Sequence, residues 1–174
     1  MTDRYLTIYL RDHLAMGRAG IDFARRVATE NRKNELGPGF ERIVDEIDEE
    51  ASVLAQALEL LEVEPSQLKL AGAWLVEKLG RLKLNGEIRG YSPLSRLLEI
   101  EFLIGAVQMR KGLWMTLLDA KHMYPVLDQL PIERLYRRVD RQLDDLYEMH
   151  VKAGRNMLKA GWDRDEGQRR PPAR

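Results

Sequence analysis

The chain contains no cysteine, and this absence excludes disulfides, thiolate metal ligands and cysteine nucleophiles. It also has no excess of one charge, because 28 lysine and arginine residues balance 28 aspartate and glutamate residues. A neutral chain lacks the broad basic surface that is typical of nucleic-acid-binding proteins. We therefore expect neither sulfur chemistry nor a nucleic-acid partner.

Long apolar runs are missing as well. No stretch of about 18 consecutive apolar residues, the length associated with a membrane span, occurs in the sequence. The first residues, MTDRYLTIYLRDHL, are interrupted by Arg4, Arg11 and Asp12 and so lack the apolar core of a signal peptide. These patterns predict a cytoplasmic protein without a membrane partner.

Four segments repeat apolar residues at every third or fourth position, which places those residues on one side of an α-helix. The four apolar seams span residues 6–27, 40–61, 94–118 and 132–157. Ser92 and Pro93 predict the start of the third helix, because serine caps helix N-termini and proline fits the first turn. No segment alternates apolar and polar residues over a strand length, so the predicted fold class is all-α.

The connections between the predicted helices differ in length. The short turn KNELGPG predicts that the first two helices form an antiparallel pair. A long helical crossover, with its own short helix around Ala71–Leu82, separates the second helix from the third. One such crossover is typical of ferritin-like four-helix bundles. We predict a single four-helix-bundle domain over residues 1–160 and a disordered tail over residues 161–174, where charged residues, glycine and proline replace the apolar repeat.

This architecture resembles a divergent ferritin-like bundle. The block WLVEKLGRLKLNGEIRGYSPLSRLLEIE, residues 74–101, is similar to uncharacterised bacterial helical proteins that are associated with the ferritin-like fold. Ferritin-like di-iron proteins use a Glu from each of two helices and a Glu-x-x-His pair from each of the other two. No Glu-x-x-His occurs in the four predicted helices, so the resemblance implies a bundle of unassigned activity without a complete di-iron centre.

Three acids and one histidine lie on or beside the predicted inner seams. They are Glu46 and Glu50 in the second helix, Glu101 in the third and His150 in the fourth. If the second and third helices start at the same end of the bundle, the rise of about 1.5 Å per residue brings Glu50 and Glu101 to similar heights. Carboxylate and imidazole ligands suit iron, manganese or zinc. One hypothesis is therefore that Glu50, Glu101 and His150, together with Glu46, form a reduced metal site, most naturally for iron or manganese, or bind a small polar ligand.

The alternative is a polar pair without any cofactor. Glu101 would bind His150, or a basic residue such as Arg18 or Lys111, and fix the alignment of the helices. We favour this alternative, which leans towards a protein that is not an enzyme. His13 allows the same two interpretations, because Tyr9 and its other seam neighbours suit either an ordinary core, which we favour, or the wall of a haem or flavin pocket.

Two further functions stay open at this point. The metal hypothesis leads to a metal-dependent oxidoreductase or an iron handler. The other possibility is a non-catalytic interaction scaffold that forms a homodimer or binds another protein, with Trp74, Leu75 and Leu82 of the crossover covering a partner helix.

Overall fold

The structure, a computed structural model, describes residues 4–63 and 91–169, and for residues 164–169 it describes the backbone only. This part of the chain contains four α-helices and no strand, as the all-α prediction requires. The helices are α1 (Arg4–Asn31), α2 (Gly37–Leu60), α3 (Pro93–Ala120) and α4 (Ile132–Arg169), with a 3₁₀ helix at Pro125–Gln129. The predicted crossover helix, with Trp74, Leu75 and Leu82, lies outside the described residues.

The start of α3 has the cap that the sequence predicted. The backbone of Ser92 is extended, and its hydroxyl accepts a hydrogen bond from the backbone N–H of Ser95 at 3.0 Å. Pro93 then occupies the first turn, where its missing N–H leaves no hydrogen bond unmade. Local chemistry therefore fixes where this helix begins.

The turn between α1 and α2 is held tightly against the end of α1. The Asn34 side chain accepts a hydrogen bond from the Leu36 N–H at 2.9 Å, and the Gly37 N–H donates to the Asn34 carbonyl at 3.1 Å. A Cβ on Gly37 would lie 2.9 Å from the Asn31 carbonyl oxygen, closer than a side chain can approach. Glycine is therefore required at this crossing.

The directions of the helices follow from the contacts between them. Arg26, late in α1, pairs with Glu99 near the start of α3, and Tyr9, early in α1, lies beside Thr116 near the end of α3. The helices α1 and α3 are therefore antiparallel. Ion pairs from Arg42 and Glu49 to successively earlier residues of α4 show that α2 and α4 are also antiparallel. Consequently α2 and α3 run in the same direction, and the chain leaves α2 at one end of the bundle and enters α3 at the other.

All four helices contribute to one hydrophobic core. Its largest fully buried side chains include Phe40, Trp114, Leu135 and Leu146. The most extensive contacts are within two pairs, α1 with α2 and α3 with α4, so the bundle consists of two helical hairpins packed together. None of the described helices is long and apolar enough to cross a membrane.

Two details of the helices differ from the prediction. In the first half of α1 the core residues are Leu10 and Leu14, whereas Tyr9 and His13 of the predicted seam are half-buried beside them. The disordered tail predicted from residue 161 is instead helical to Arg169, because backbone hydrogen bonds can continue a helix after its tertiary contacts end. Residues 170–174 lie outside the described part of the chain.

Candidate functional site

Glu101 and His150 lie together, but on the outside of the bundle. The His150 Nε2 atom is 3.1 Å from a Glu101 carboxylate oxygen, and the Glu101 side chain is 49% exposed. The prediction that Glu101 points inward is therefore wrong. Apolar residues surround α3 on several sides, so their spacing did not identify its inner face, and Glu99, two residues earlier, is the buried acid.

Glu50 and Glu46 meet at a different place, around Gln142 of α4. The Gln142 side-chain amide donates one hydrogen bond to Glu50 at 2.8 Å and another to Glu46 at 2.9 Å. Glu50 is only 1% exposed, and Arg110 of α3 approaches its second carboxylate oxygen at 3.2 Å. We refer to Glu46, Glu50, Arg110 and Gln142 as the central polar cluster.

The four predicted metal ligands therefore divide between two locations. Glu50 lies beside Arg110, and Glu101 is nine residues earlier on α3, which corresponds to about 13 Å along the helix. The predicted equal height of Glu50 and Glu101 is wrong for this reason. Within residues 4–63 and 91–163, no three histidine, aspartate or glutamate side chains are grouped so that they could hold a metal ion.

Two members of the central polar cluster were missed by the sequence prediction, although the sequence carries a signal for each. Gln142 lies between the apolar seam residues Val139 and Leu143 of α4, and Arg110 interrupts the apolar stretch of α3. A polar residue inside an apolar seam needs a buried partner. Searching for such an arginine and glutamine, as well as for acids and histidines, would have found the cluster.

Burial and charge act in opposite directions on the central polar cluster. Burial raises the pKa of Glu50, while the guanidinium of Arg110 and the hydrogen bond from Gln142 counteract that rise. Burial also lowers the pKa of Arg110, and the charges of Glu50 and Glu46 oppose this effect. An arginine keeps its proton in proteins, so the cation of Arg110 compensates the buried carboxylate.

A second ionic group closes the side of the cluster towards α4. Arg134 and Arg138 both contact the Glu49 carboxylate at 2.6 Å, and their hydrogen bonds lower the pKa of Glu49. Arg141 lies 3.7 Å from Glu46. The acids of α2 that face α4 thus have arginine partners.

A small cavity of about 20 Å³ lies next to the central polar cluster, and this volume suits one water molecule. Its lining includes Glu50, Arg110, Trp114 and His13. Within the described part of the chain, the buried Trp114 Nε1 atom and one Glu50 oxygen lack a hydrogen bond.

The same cavity bears on His13, which lines it. The cavity is far too small for haem or flavin, so the haem or flavin interpretation of His13 has no support here. Burial lowers the pKa of His13, and its ring packs edge-on against Tyr9.

A second buried polar group lies where α1 ends and α3 begins. Glu99 accepts a hydrogen bond from the Tyr91 hydroxyl at 2.6 Å and pairs with Arg26 at 2.9 Å. Asn31, which is fully buried, donates to the Tyr91 hydroxyl and accepts from Arg96 at 2.6 Å. These contacts join the two hairpins at this end.

The outer face of α4 carries a separate feature, an exposed apolar stripe. Tyr147, Val151, Leu158 and Trp162 lie within an arc of about 60° around the helix axis. Their exposure rises along the helix, from 48% at Tyr147 to 69% at Trp162. We call these four residues the α4 stripe. Large apolar side chains concentrated on one exposed helix face usually mark a contact surface.

Comparisons of the chain with family models, with curated proteins and with solved structures give no match.

Proposed function

We propose that this chain is a ferritin-like helical bundle without a catalytic metal centre, and that it acts as an interaction scaffold through the α4 stripe. The parallel directions of α2 and α3 support the ferritin-like connectivity, because a crossover between opposite ends of a bundle is the mark of that topology. The surface of α4 supports the binding role.

The chemistry of the bundle interior supports a structural role for its acids. The Gln142 amide donates to both Glu50 and Glu46, and the Arg110 guanidinium lies 3.2 Å from the second Glu50 oxygen, on the side where a metal ion would bind. A guanidinium brings the positive charge that a metal ion would otherwise supply to a buried carboxylate. The central polar cluster is therefore suited to aligning α2, α3 and α4.

The α4 stripe is the observation that carries the binding function. The helix is 38 residues long, whereas its neighbour α3 has 28, so its last turns extend past the start of α3. A Cβ added at Gly154 would lie 3.9 Å from the Leu97 side chain near that start, so α4 is still level with α3 there, but Leu158 and Trp162 are two-thirds exposed. Leaving such side chains in water forgoes roughly 1.5–3 kcal/mol each relative to burial. A partner that covers the stripe would recover this free energy.

Site-specific photo-cross-linking in cells that express the full chain tests the binding function. A photoreactive phenylalanine analogue replaces Tyr147 in the stripe, and the control carries it at Tyr5, which is 80% exposed on α1. We expect a discrete adduct of higher mass from position 147 but not from position 5. The adduct should disappear when Leu158→Lys is added and persist with Met115→Lys, an equally drastic change on exposed α3 surface.

The cross-linking pattern tests the binding role even when the partner is not identified. No adduct at position 147 beyond the Tyr5 control, or a cross-link only within one chain, would overturn the binding role. An adduct of one defined mass, with another polypeptide or with a second copy, that Leu158→Lys abolishes and Met115→Lys preserves would support it.

A metal-dependent oxidoreductase or iron handler stays the second candidate, because Glu46 and Glu50 share one donor and are therefore adjacent carboxylates. Elemental analysis of protein purified without chelators, with and without added iron and manganese, distinguishes it. Near-stoichiometric metal that is lost in Glu50→Gln but retained in Glu101→Ala would establish a site at the central polar cluster. Metal lost only in Glu101→Ala would place it at the outer pair with His150.

A further inference from the structure

We infer that the partner of the α4 stripe is the α4 stripe of a second copy of this chain, packed antiparallel about a two-fold axis. This dimer deepens the proposed function and rests on it, because the stripe must first be a binding face. The dimer predicted from the sequence used the crossover residues Trp74, Leu75 and Leu82, so the surface inferred here is a different one.

The spacing of the stripe matches a short antiparallel coiled coil. Tyr147, Val151 and Leu158 are separated by four and seven residues, which places them at the a and d positions of a heptad repeat. In an antiparallel pair an a position packs against a d position of the other helix. Tyr147 then packs against Leu158 of the second copy, and Val151 packs against Gly154 of the second copy. The two-fold axis repeats each of these pairs with the two copies exchanged.

Gly154 gives this arrangement independent support. Glycine in the middle of a helix costs about 1 kcal/mol relative to alanine. The fold does not require it here, because an added Cβ would meet only the Leu97 side chain, at an ordinary contact distance of 3.9 Å. Opposite Val151 of a second copy, the missing side chain allows the two helices to approach closely.

The charges beside the stripe are self-complementary when one helix is reversed. The exposed charged residues within about two helical turns of Val151 are acidic before it, Asp144 and Glu148, and basic after it, Lys152, Arg155 and Lys159. In an antiparallel pair, the acidic half of each helix faces the basic half of the other, and Glu148 faces Arg155 of the second copy on both sides of the axis. In a parallel pair, acids would face acids, so the charges select the antiparallel orientation.

The surface between these charges is open to such a partner. A shallow depression of about 620 Å³ lies on this face, lined by Asp144, Tyr147, Glu148, Val151, Lys152 and Arg155. No ion pair within the described part of the chain engages Glu148 or Arg155. Because each copy contributes one helix, the interface lies at the small end of the range for specific complexes. We therefore expect a dimer that dissociates on dilution.

Sedimentation equilibrium of the full chain, from low to high micromolar concentration, tests the dimer. The wild-type protein should change from one to two times 20.2 kDa with rising concentration. Glu148→Arg and Arg155→Glu should each weaken association by about tenfold, because each replaces two attractive pairs by two repulsive ones. Glu30→Arg and Arg18→Glu make the same charge changes on exposed parts of α1 and should have no effect.

Charge exchange then tests the orientation. Mixing the Glu148→Arg and Arg155→Glu proteins should form heterodimers, since opposite charges meet again, and the double variant Glu148→Arg/Arg155→Glu should recover association by itself. A wild-type chain that stays monomeric at all concentrations would overturn the dimer. So would single reversals that act like the α1 controls, or a double variant no better than either single one.

These outcomes separate the dimer from the binding function. If the pure protein is monomeric but cross-linking at position 147 captures a different polypeptide that Leu158→Lys releases, the second copy is refuted and the binding role stands. If cross-linking also gives no intermolecular adduct, both fail.

Discussion

Replacing Arg110 by methionine tests whether the central polar cluster is a buried ion pair. The Arg110→Met substitution keeps a long apolar side chain in place but removes the cation beside Glu50, which is almost completely buried. Breaking a buried pair by removing one partner typically costs about 3–5 kcal/mol of unfolding free energy, because an uncompensated charge remains. For a chain of this length that corresponds to a fall in melting temperature of roughly 6–20 °C.

The protonation of Glu50 determines how the loss of unfolding free energy in Arg110→Met changes with pH. Burial already raises the pKa of Glu50 above its ordinary value of 4.5, and removing Arg110 takes away the main charge that opposes the rise. A carboxyl group whose folded-state pKa is raised contributes most stability when it is protonated, and that contribution is lost as pH rises through the folded-state pKa. The stability difference between Arg110→Met and wild type should therefore be largest at neutral pH and shrink as pH falls towards 4.5.

Urea unfolding followed by circular dichroism, at several pH values, measures this difference. The double variant Glu50→Met/Arg110→Met should regain most of the loss, since it removes both charges and leaves Gln142 its hydrogen bond to Glu46. Arg42→Met is the matched control: it breaks an exposed ion pair with Asp145 and should cost at most about 1 kcal/mol. If Arg110→Met costs no more than this control at every pH, water solvates Glu50 and the reasoning fails.

Three further outcomes are expected. Gly37→Ala should lower the unfolding free energy by about 1–3 kcal/mol in urea denaturation, because the new Cβ would meet backbone atoms. Gly39→Ala should cost less, because its Cβ would meet only the flexible Met149 side chain, and equal losses would contradict this reasoning. Burial and the neighbouring Glu99 raise the pKa of Tyr91 well above its ordinary value of 10, so ultraviolet titration of Tyr91→Phe and wild type should coincide up to about pH 11, and an earlier phenolate signal from Tyr91 would argue against this burial. A high-resolution crystal structure should show one ordered water in the 20 Å³ cavity, hydrogen-bonded to the Trp114 Nε1 atom. An empty cavity would refute the inference that a water molecule satisfies this N–H group.

The sequence predicted the helices better than it predicted which side chains face inward. Capping at Ser92 and the apolar periodicity of the four segments are local properties, so they identified the helices directly. In α3 the apolar residues surround the helix, and no stripe distinguishes Glu99 from Glu101. The direction of these two acids is decided by the neighbouring helices, and this information is absent from the spacing within α3 alone.

The candidate site was only partly predictable for the same reason. Glu50 was recognised because it borders a clear seam in α2, and the proximity of Glu101 to His150 was also anticipated. The pairing of Glu50 with Arg110 depends on how far α2 and α3 are shifted relative to each other, and the short α1–α2 turn and the long connection do not fix that shift. The exposed α4 stripe could be recognised only in the structure, since the sequence does not show whether an apolar residue is buried by a neighbouring helix.

The division into two hairpins has a consequence for how the chain folds. Within each hairpin, contacting residues are close in sequence, so α1 with α2 and α3 with α4 can form before distant segments meet. The contacts between hairpins join residues far apart in the chain, such as Asn31 with Arg96 and Glu50 with Gln142. Buried charges are therefore concentrated in the contacts that form last, after the hairpins have come together. Substitutions in the central polar cluster should then mainly accelerate unfolding, while those inside a hairpin slow folding.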